Sequence, residues 1–327
     1  MTFRELVNRF QCVEEAISFL ATKGKRVVDA GTISEERAKL DRVGGQIICI
    51  FDKEYPDLLK SIPDAPPFLS AIGNVALLKA RNVSIVGSRN SSLTGNRITR
   101  TIANELCTHG YTIVSGLAIG IDRHAHLGGI DSTIAIIANG LGSIYPPENI
   151  DVAQEICAKG LLLTEAPFGV PPSPSLFHGR NRIIAALSRG TLIVEATQNS
   201  GSLITANCAL DYGRDVFAVP GSPIDSRSYG PNTLIQNGAN LVQGSRDIIR
   251  YYQNAPQTRP APVEIPCNEI SSDLKARVAT LLSNDPVHID EICFQLQHPA
   301  AAIRVILSEL ELDGIARPCV GGRFALR

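Results

Sequence analysis

Four short segments combine glycine and hydroxyl residues with cationic or amide side chains, and each sits where an apolar run gives way to a helical one. The first reads Val86-Gly87-Ser88-Arg89-Asn90-Ser91-Ser92-Leu93-Thr94-Gly95, leaving a strand and opening a helix near Leu93. Glycine lets the backbone approach a phosphate, free N–H groups at a helix N-terminus accept it, and Arg89 adds a forked cationic donor. The segment is neither a GxGxxG fingerprint nor a Walker A loop, since no Lys-Ser/Thr pair follows its glycines. Dinucleotide or NTP use is therefore not indicated, and no cofactor is expected.

The second segment, Ser115-Gly116-Leu117-Ala118-Ile119-Gly120-Ile121-Asp122, again follows a strand and places Asp122 to cap the helix that holds His124 and His126. Two histidines at i and i+2 point to different faces of a helix, so capping and packing are expected there rather than a metal site. The third, Phe177-His178-Gly179-Arg180-Asn181-Arg182, precedes an apolar helical stretch. Two arginines, an amide and an aromatic ring at this spacing offer phosphate clamps and a stacking platform, which suits a single strand of nucleic acid. The competing reading puts Phe177 in the core with the arginines snorkelling at a helix start. The fourth, Glu195 to Ala206, carries Ser200-Gly201-Ser202 at another helix N-terminus suited to an anion. Glu195 has no second carboxylate or nucleophile in a matching motif, so its expected task is to orient Arg180 or Arg182, and no catalytic residue is assigned.

The formal charge of −1 over 327 residues gives no global attraction to a polyanion. Charge is nevertheless segregated. Residues 65–104 contain no Asp or Glu but hold Lys79, Arg81, Arg89, Arg97 and Arg100, and residues 166–194 hold Arg180, Arg182 and Arg189 without an acid. One anion-binding face is expected from these windows. Eight cysteines lie at least 26 positions apart, which excludes CxxC metal and redox spacings and fits reduced thiols in the cytoplasm. No run of 18 apolar residues and no N-terminal export signal is present, so no membrane association is expected.

These segments need a frame. From Val83 onward, apolar runs of strand length (Val83 to Val86, Thr112 to Val114, Thr133 to Ala138, Leu161 to Thr164, Thr191 to Val194, Asp215 to Val219) alternate with helix-length stretches. Continuous apolar strands separated by helices predict a Rossmann-like, doubly wound, mostly parallel sheet over residues 76–253, with the loops on one edge. Residues 1–45 read as a small helical domain, and the proline-rich 46–75 as a linker with a short leading strand. Four prolines in 254–267 make a second linker. Residues 268–327, with three amphipathic stretches and two short strands around Gly321-Gly322, read as a winged helix. Its third helix pairs Arg304 with Glu309, Glu311 and Asp313, too acidic for a groove reader, so a protein-contact or regulatory role is expected.

The order of these motifs closely resembles the DprA/Smf family: Gly87-Ser88-Arg89, Ser115-Gly116-Leu117-Ala118 with Gly120-Ile121-Asp122 and Ala125-His126, Tyr145-Pro146, Phe177 with Arg180-Asn181-Arg182, Ser200-Gly201-Ser202 with Thr205-Ala206, and Val219-Pro220-Gly221. Tyr55-Pro56 and Gly73-Asn74 agree as well. The resemblance implies a DNA-processing protein of natural transformation that binds single-stranded DNA, dimerises through its Rossmann-like domain, and helps load RecA recombinase on strands coated by single-strand-binding protein, without enzymatic turnover. Arg89 matches the family's first-loop arginine, and Arg180, Asn181 and Arg182 its arginine-asparagine-arginine element. His178 stands where the family usually has proline, and Gly129-Ile130 replaces the common Gly-Ala-Leu. The runner-up is a Rossmann-like hydrolase of nucleoside monophosphates, whose Pro-Gly-Gly-x-Gly-Thr loop is absent here. A transcription factor acting through the winged helix is a third reading.

Overall fold

The computed structural model describes residues 30–254 and, beyond them, 272–283, 285–296, 298, 303, 306–307, 309–311, 314–319 and 323–326. It divides into two compact units, residues 1–254 and 255–327. Most of the segment expected to be a small helical domain, residues 1–29, lies outside the described residues, as does the proline-rich stretch 255–267. The described chain opens with helix α1 (Ala30–Arg42) and strand β1 (Gly45–Cys49), followed by the short α2 (Asp57–Lys60) and β2 (Phe68–Gly73). The core then alternates: β3 (Arg81–Val86), α3 (Leu93–Thr108), β4 (Tyr111–Ser115), α4 (Ile121–Gly128), β5 (Thr133–Ile136), α5 (Ile150–Lys159), β6 (Leu161–Thr164), α6 (Pro174–Leu187), β7 (Gly190–Ile193), α7 (Gly201–Asp211), β8 (Asp215–Ala218), α8 (Tyr229–Gln236), β9 (Asn240–Leu241) and α9 (Ser245–Asn254).

The nine strands form one sheet in the order β1-β2-β6-β5-β4-β3-β7-β8-β9. From β6 to β9 every pairing is parallel. The six apolar runs of the sequence are β3 to β8, and β4 to β7 are buried at every position because helices cover both faces. One face packs Val86, Val114 and Ile193 against Ile183, Ile184 and Leu187 of α6 and Ala206 of α7. The other packs Val83, Ile85 and Leu192 against Ile102 and Leu106 of α3, Ile121 of α4 and Ile248 of α9. The chain builds outward from β3 in one direction through β4, β5 and β6, then returns to β3's other side with β7. This reversal is the topological switch point, where the loops at the strand ends diverge and leave a crevice.

The stretch 46–75 holds the expected leading strand, β1, but the rest corrects the expected linker. Both β1 and β2 belong to the main sheet: β2 runs antiparallel to β6, and β1 antiparallel to β2. The prolines bound these strands instead of interrupting them. Pro66 and Pro67 end just before Phe68, and the buried Tyr55 ties the turn by donating its hydroxyl to the Pro66 carbonyl at 2.7 Å.

In the second unit α10 (Ser272–Leu281), β10 (Val287–His288) and α11 (Ile289–Leu296) precede β11 (Ala316–Cys319) and β12 (Arg323–Leu326), which form a sheet in the order β10-β12-β11. Val278, Ile292, Ile303, Ile306 and Leu307 supply a core of its own. This is the winged-helix arrangement expected of residues 268–327. No helix among the described residues is long and apolar enough to cross a membrane.

Candidate nucleic-acid interface

The loop that leaves β3 is held by neighbours rather than by its own sequence. The Ser88 N–H donates to the Glu195 carbonyl at 2.7 Å, and the Ser88 carbonyl accepts from the Ile121 N–H. Gly87 is required: a Cβ there would stand 2.7 Å from the Ile121 side chain and 2.9 Å from the Glu195 carbonyl. Glu195 serves this loop and not the arginines, which corrects its expected role. Its carboxylate accepts from the Ser92 N–H at 2.8 Å and from the Ser92 hydroxyl at 2.5 Å, while Ser92 caps α3 by accepting from the Gly95 N–H. An acid at this helix N-terminus is placed where the helix dipole favours it. Arg89 and Asn90 are left exposed at the loop's tip.

Asp122 is likewise not a cap, because the cap position of α4 is Gly120 and no side chain bonds there. The carboxylate is buried under the cleft, accepts from the Gly116 N–H at 3.2 Å, and faces the buried guanidinium of Arg180. Burial pushes the Asp122 carboxyl up, opposed by Arg180 and by the N–H groups of Ala118, Gly116 and Gly87. Burial likewise brings Arg180 down to about 10, so it stays cationic at neutral pH. Its Nη1 donates to the carbonyls of Gly116 and, at 2.7 Å, Ile136. A Cβ at Gly116 would overlap the guanidinium, which explains glycine there. The next residue, Leu117, is buried with φ 57°, a left-handed backbone that only a fixed surrounding maintains.

His126 is buried and donates from Nδ1 to the Thr133 hydroxyl at 2.7 Å, because that hydroxyl spends its own proton on the Ile113 carbonyl. Its Nε2 has no partner among the described residues. Burial, aided by Arg180, holds its pKa down at about 3, so the ring is neutral. No group of metal-binding side chains occurs among the described residues.

Helix α6 crosses from β6 to β7 above this floor. Ser173, Pro174, Phe177, Arg180, Asn181 and Ile184 fall on one face, and with the β3 loop, Ala118, Thr197, Ser200, Gly201, Ser202, Ile204 and Thr205 they line a cleft of about 810 Å³ at the switch point. The half-buried Phe177 ring forms its wall, with the Arg89 guanidinium 5.4 Å from its centroid, Arg180 at 5.8 Å, and Tyr145 edge-on at 6.0 Å. Opposite, α7 begins at Gly201 with Ser200 as its cap. The Ser200 hydroxyl takes the Ser202 N–H and its carbonyl the Leu203 N–H, so the Gly201 N–H is the one left at this helix start beside the cleft.

Of the ten residues expected to form the site, Gly87, Ser88, Arg89, Phe177, Arg180, Asn181, Ser200, Gly201 and Ser202 line this one cleft, and Arg182 does not. Two positions beyond Arg180 on a helix, Arg182 points elsewhere: its Nη2 forks onto Glu165 at 2.7 Å and its Nη1 reaches the Asp64 carbonyl. Residues at i and i+2 lie about 200° apart, and the rule that separates the two histidines separates the two arginines. The expected single basic face is also divided. Arg81 and Arg189 stand before or at the start of β3 and β7, hence at the opposite edge, with Arg189 over the Tyr252 ring at 4.4 Å. Sequence reasoning missed Asp122 and Tyr145 as parts of the cleft and Gly116 as the seat of Arg180 beneath it. An acid after a Gly-rich loop, with a buried cation far along the chain, carries no local signal of that pairing.

A parallel sheet with a polar cleft at its switch point, followed by a winged helix, defines a Rossmann-like α/β protein with an appended winged-helix unit. The family model described as DNA recombination-mediator protein A matches residues 46–253, and the DprA winged helix domain matches residues 255–322. This chain belongs to the DprA/Smf family. It is 43% identical over 223 residues to the DNA processing protein DprA of Bacillus subtilis, covering 66% of this chain and 75% of that one. The X-ray structure of DNA processing protein A from Streptococcus pneumoniae superposes with a TM-score of 0.64 at 41% identity, over 68% of this chain and 78% of that one. A structure of DNA processing protein A from Helicobacter pylori, described for its single-stranded DNA binding mode, gives 0.60 at 31% identity, over 64% and 95%.

Proposed function

We propose that this chain binds single-stranded DNA, without strong sequence preference, in the switch-point cleft, and that it assists RecA loading during natural transformation and recombination without covalent chemistry of its own. The observation that carries the reading is the pairing of Arg89, exposed and free of any carboxylate partner among the described residues, with the Phe177 ring beside it. A cation for phosphate and an aromatic face for a base are the two elements of sequence-tolerant single-strand binding. The Gly201 N–H, the paired hydroxyls of Ser200 and Ser202, and the Asn181 amide donate to further phosphate oxygens. Arg180 acts from below by shaping the floor, and Arg182 by fixing α6 to Glu165. The Helicobacter pylori relative, described as binding single-stranded DNA, supports the ligand class.

Family membership supports the rest: RecA recombinase and single-strand-binding protein as partners, a homodimer formed through the Rossmann-like residues 76–253, and a cytoplasmic location. The alternative, a nucleotide-hydrolysing enzyme, has less support because Glu195 is committed to Ser92 and the cleft holds no nucleophile paired with a base.

The test is a salt titration of binding to fluorescent oligo-dT and to a matched duplex. Preferential single-strand binding is expected, with a log–log slope made shallower by about 0.7 in Arg89→Ala, the share of one phosphate. Arg182→Ala is expected to keep the wild-type slope. Duplex preference, an unchanged slope in Arg89→Ala, or release of base from nucleotides would overturn the proposal.

A further inference from the structure

The outer face of α3 carries arginines that the fold does not use. Arg97 is exposed and makes no ion pair among the described residues. Arg100, one turn later, is exposed too, and its Nε donates to His124 Nδ1 at 2.9 Å instead of to a carboxylate. Partial burial and the charges of Arg100 and Arg123 hold the His124 pKa low, so the ring accepts that bond as a neutral group and leaves the Arg100 charge uncompensated. Between α3 and the start of α9 lies a groove of about 510 Å³ that includes Leu93, Thr94, Arg97, Ile98 and Gly244. Leu93 is 89% exposed, far more than a leucine in a helix's first turn needs to be. The acid at the groove's end, Glu105, is engaged by the Ser245 hydroxyl, and the nearby Asp247 accepts the N–H groups of Gln243 and Gly244. Arg246, next along α9, is exposed.

The chain leads from the cleft directly to this face. Arg89 and Asn90 line the cleft, Ser91 and Ser92 carry the chain across the sheet's edge, and Leu93 opens α3. With about 1.5 Å of rise per residue, Arg97 stands about 6 Å beyond Leu93 along the axis and Arg100 about 4.5 Å further. Those steps are on the scale of one extended nucleotide. Resting on the single-strand reading given above, we propose that a strand leaving the cleft past Arg89 runs along the N-terminal half of α3, with Arg97 and Arg100 on successive phosphates and Leu93 against a base. The occupant is a single strand because the track starts in the cleft and the cationic heads form one row, where a duplex presents two backbones.

The experiment compares the full chain with Arg97→Ala/Arg100→Ala by fluorescence anisotropy on oligo-dT of about six and about twenty nucleotides. A control, Lys39→Ala/Arg42→Ala, removes the same charge from exposed positions on α1. The expected result is a loss of about tenfold or more on the long strand with a slope shallower by about 1.4, the share of two phosphates, and no change on the short strand. The control is expected to stay within about twofold of wild type on both. Equal loss on both lengths, loss in the control as large as in the test variant, or unchanged binding of the long strand overturns the track. Failure of the wild-type chain to bind either length overturns the cleft reading itself, so the two failures are told apart.

Discussion

Arg89 and Arg180 belong to one recurring pattern of small and cationic residues, yet burial gives them opposite tasks. Arg180 is held under the cleft by two carbonyls and by Asp122, whose carboxylate faces no other cation among the described residues. Removing one member of such a pair leaves a buried charge uncompensated, which costs about 3 to 5 kcal/mol. Arg180→Ala is therefore expected to lower the thermal midpoint by on the order of 10 °C, at about 2 to 4 °C per kcal/mol for a unit of this size. Arg89→Ala should move it by less than about 2 °C while weakening DNA binding. Calorimetry of both variants checks the contrast, and equal midpoints would return Arg180 to the set of direct contacts. His126 gives a second prediction. Its folded pKa, about 3, lies below its unfolded value near 6.5, so the unfolded chain binds the extra proton and stability falls as pH drops below 6.5. Between pH 7 and pH 5 this amounts to roughly 1 to 2 kcal/mol. His126→Gln should flatten that part of the stability profile in urea titrations, and a parallel profile would mean that other groups set the acid limit.

At the scale of elements, β3 to β8 were readable because a strand buried on both faces must be apolar throughout. The loops after β3, β4 and β7 were readable because each pairs a strand end with a glycine and a helix start. What eluded sequence reasoning was pairing at a distance. β2 joins the β6 edge antiparallel through pairs about ninety positions apart, such as Ile72 with Leu162, and carries β1 with it. β9 consists of two residues, too short for any periodicity. Glu195 was misread for the same reason, since its partner Ser92 lies 103 positions away. The bond it makes ties the β7 loop to the N-cap of α3, where the loop that presents Arg89 ends. Glu195→Ala is expected to cost about 1 to 2 kcal/mol, the usual worth of a helix cap, and to weaken oligo-dT binding through the loop, although Glu195 touches no DNA. Rescue of most of the stability by Glu195→Gln, whose amide oxygen still accepts the Ser92 N–H, distinguishes this positioning role from a catalytic carboxylate.

For the molecule as a whole, the question is which unit holds DNA. Residues 255–327 carry nine acidic against seven basic side chains, and Glu309, on the stretch expected to be the recognition helix, is paired with Lys275 at 3.1 Å. A recognition helix that enters a groove needs free cations facing outward, and an ion pair back to α10 supplies the opposite. The first unit, by contrast, has its own cores on both faces of the sheet and contains the entire cleft. A chain ending at Asn254 is expected to fold with an unchanged near-ultraviolet spectrum and to bind oligo-dT within about threefold of the full chain, with the same salt slope. If the slope instead fell by the share of two or more phosphates, the winged helix would be taking part in the DNA path in spite of its charge. An unchanged slope leaves the second unit free to face another protein, the role its acidic surface and closed apolar core fit.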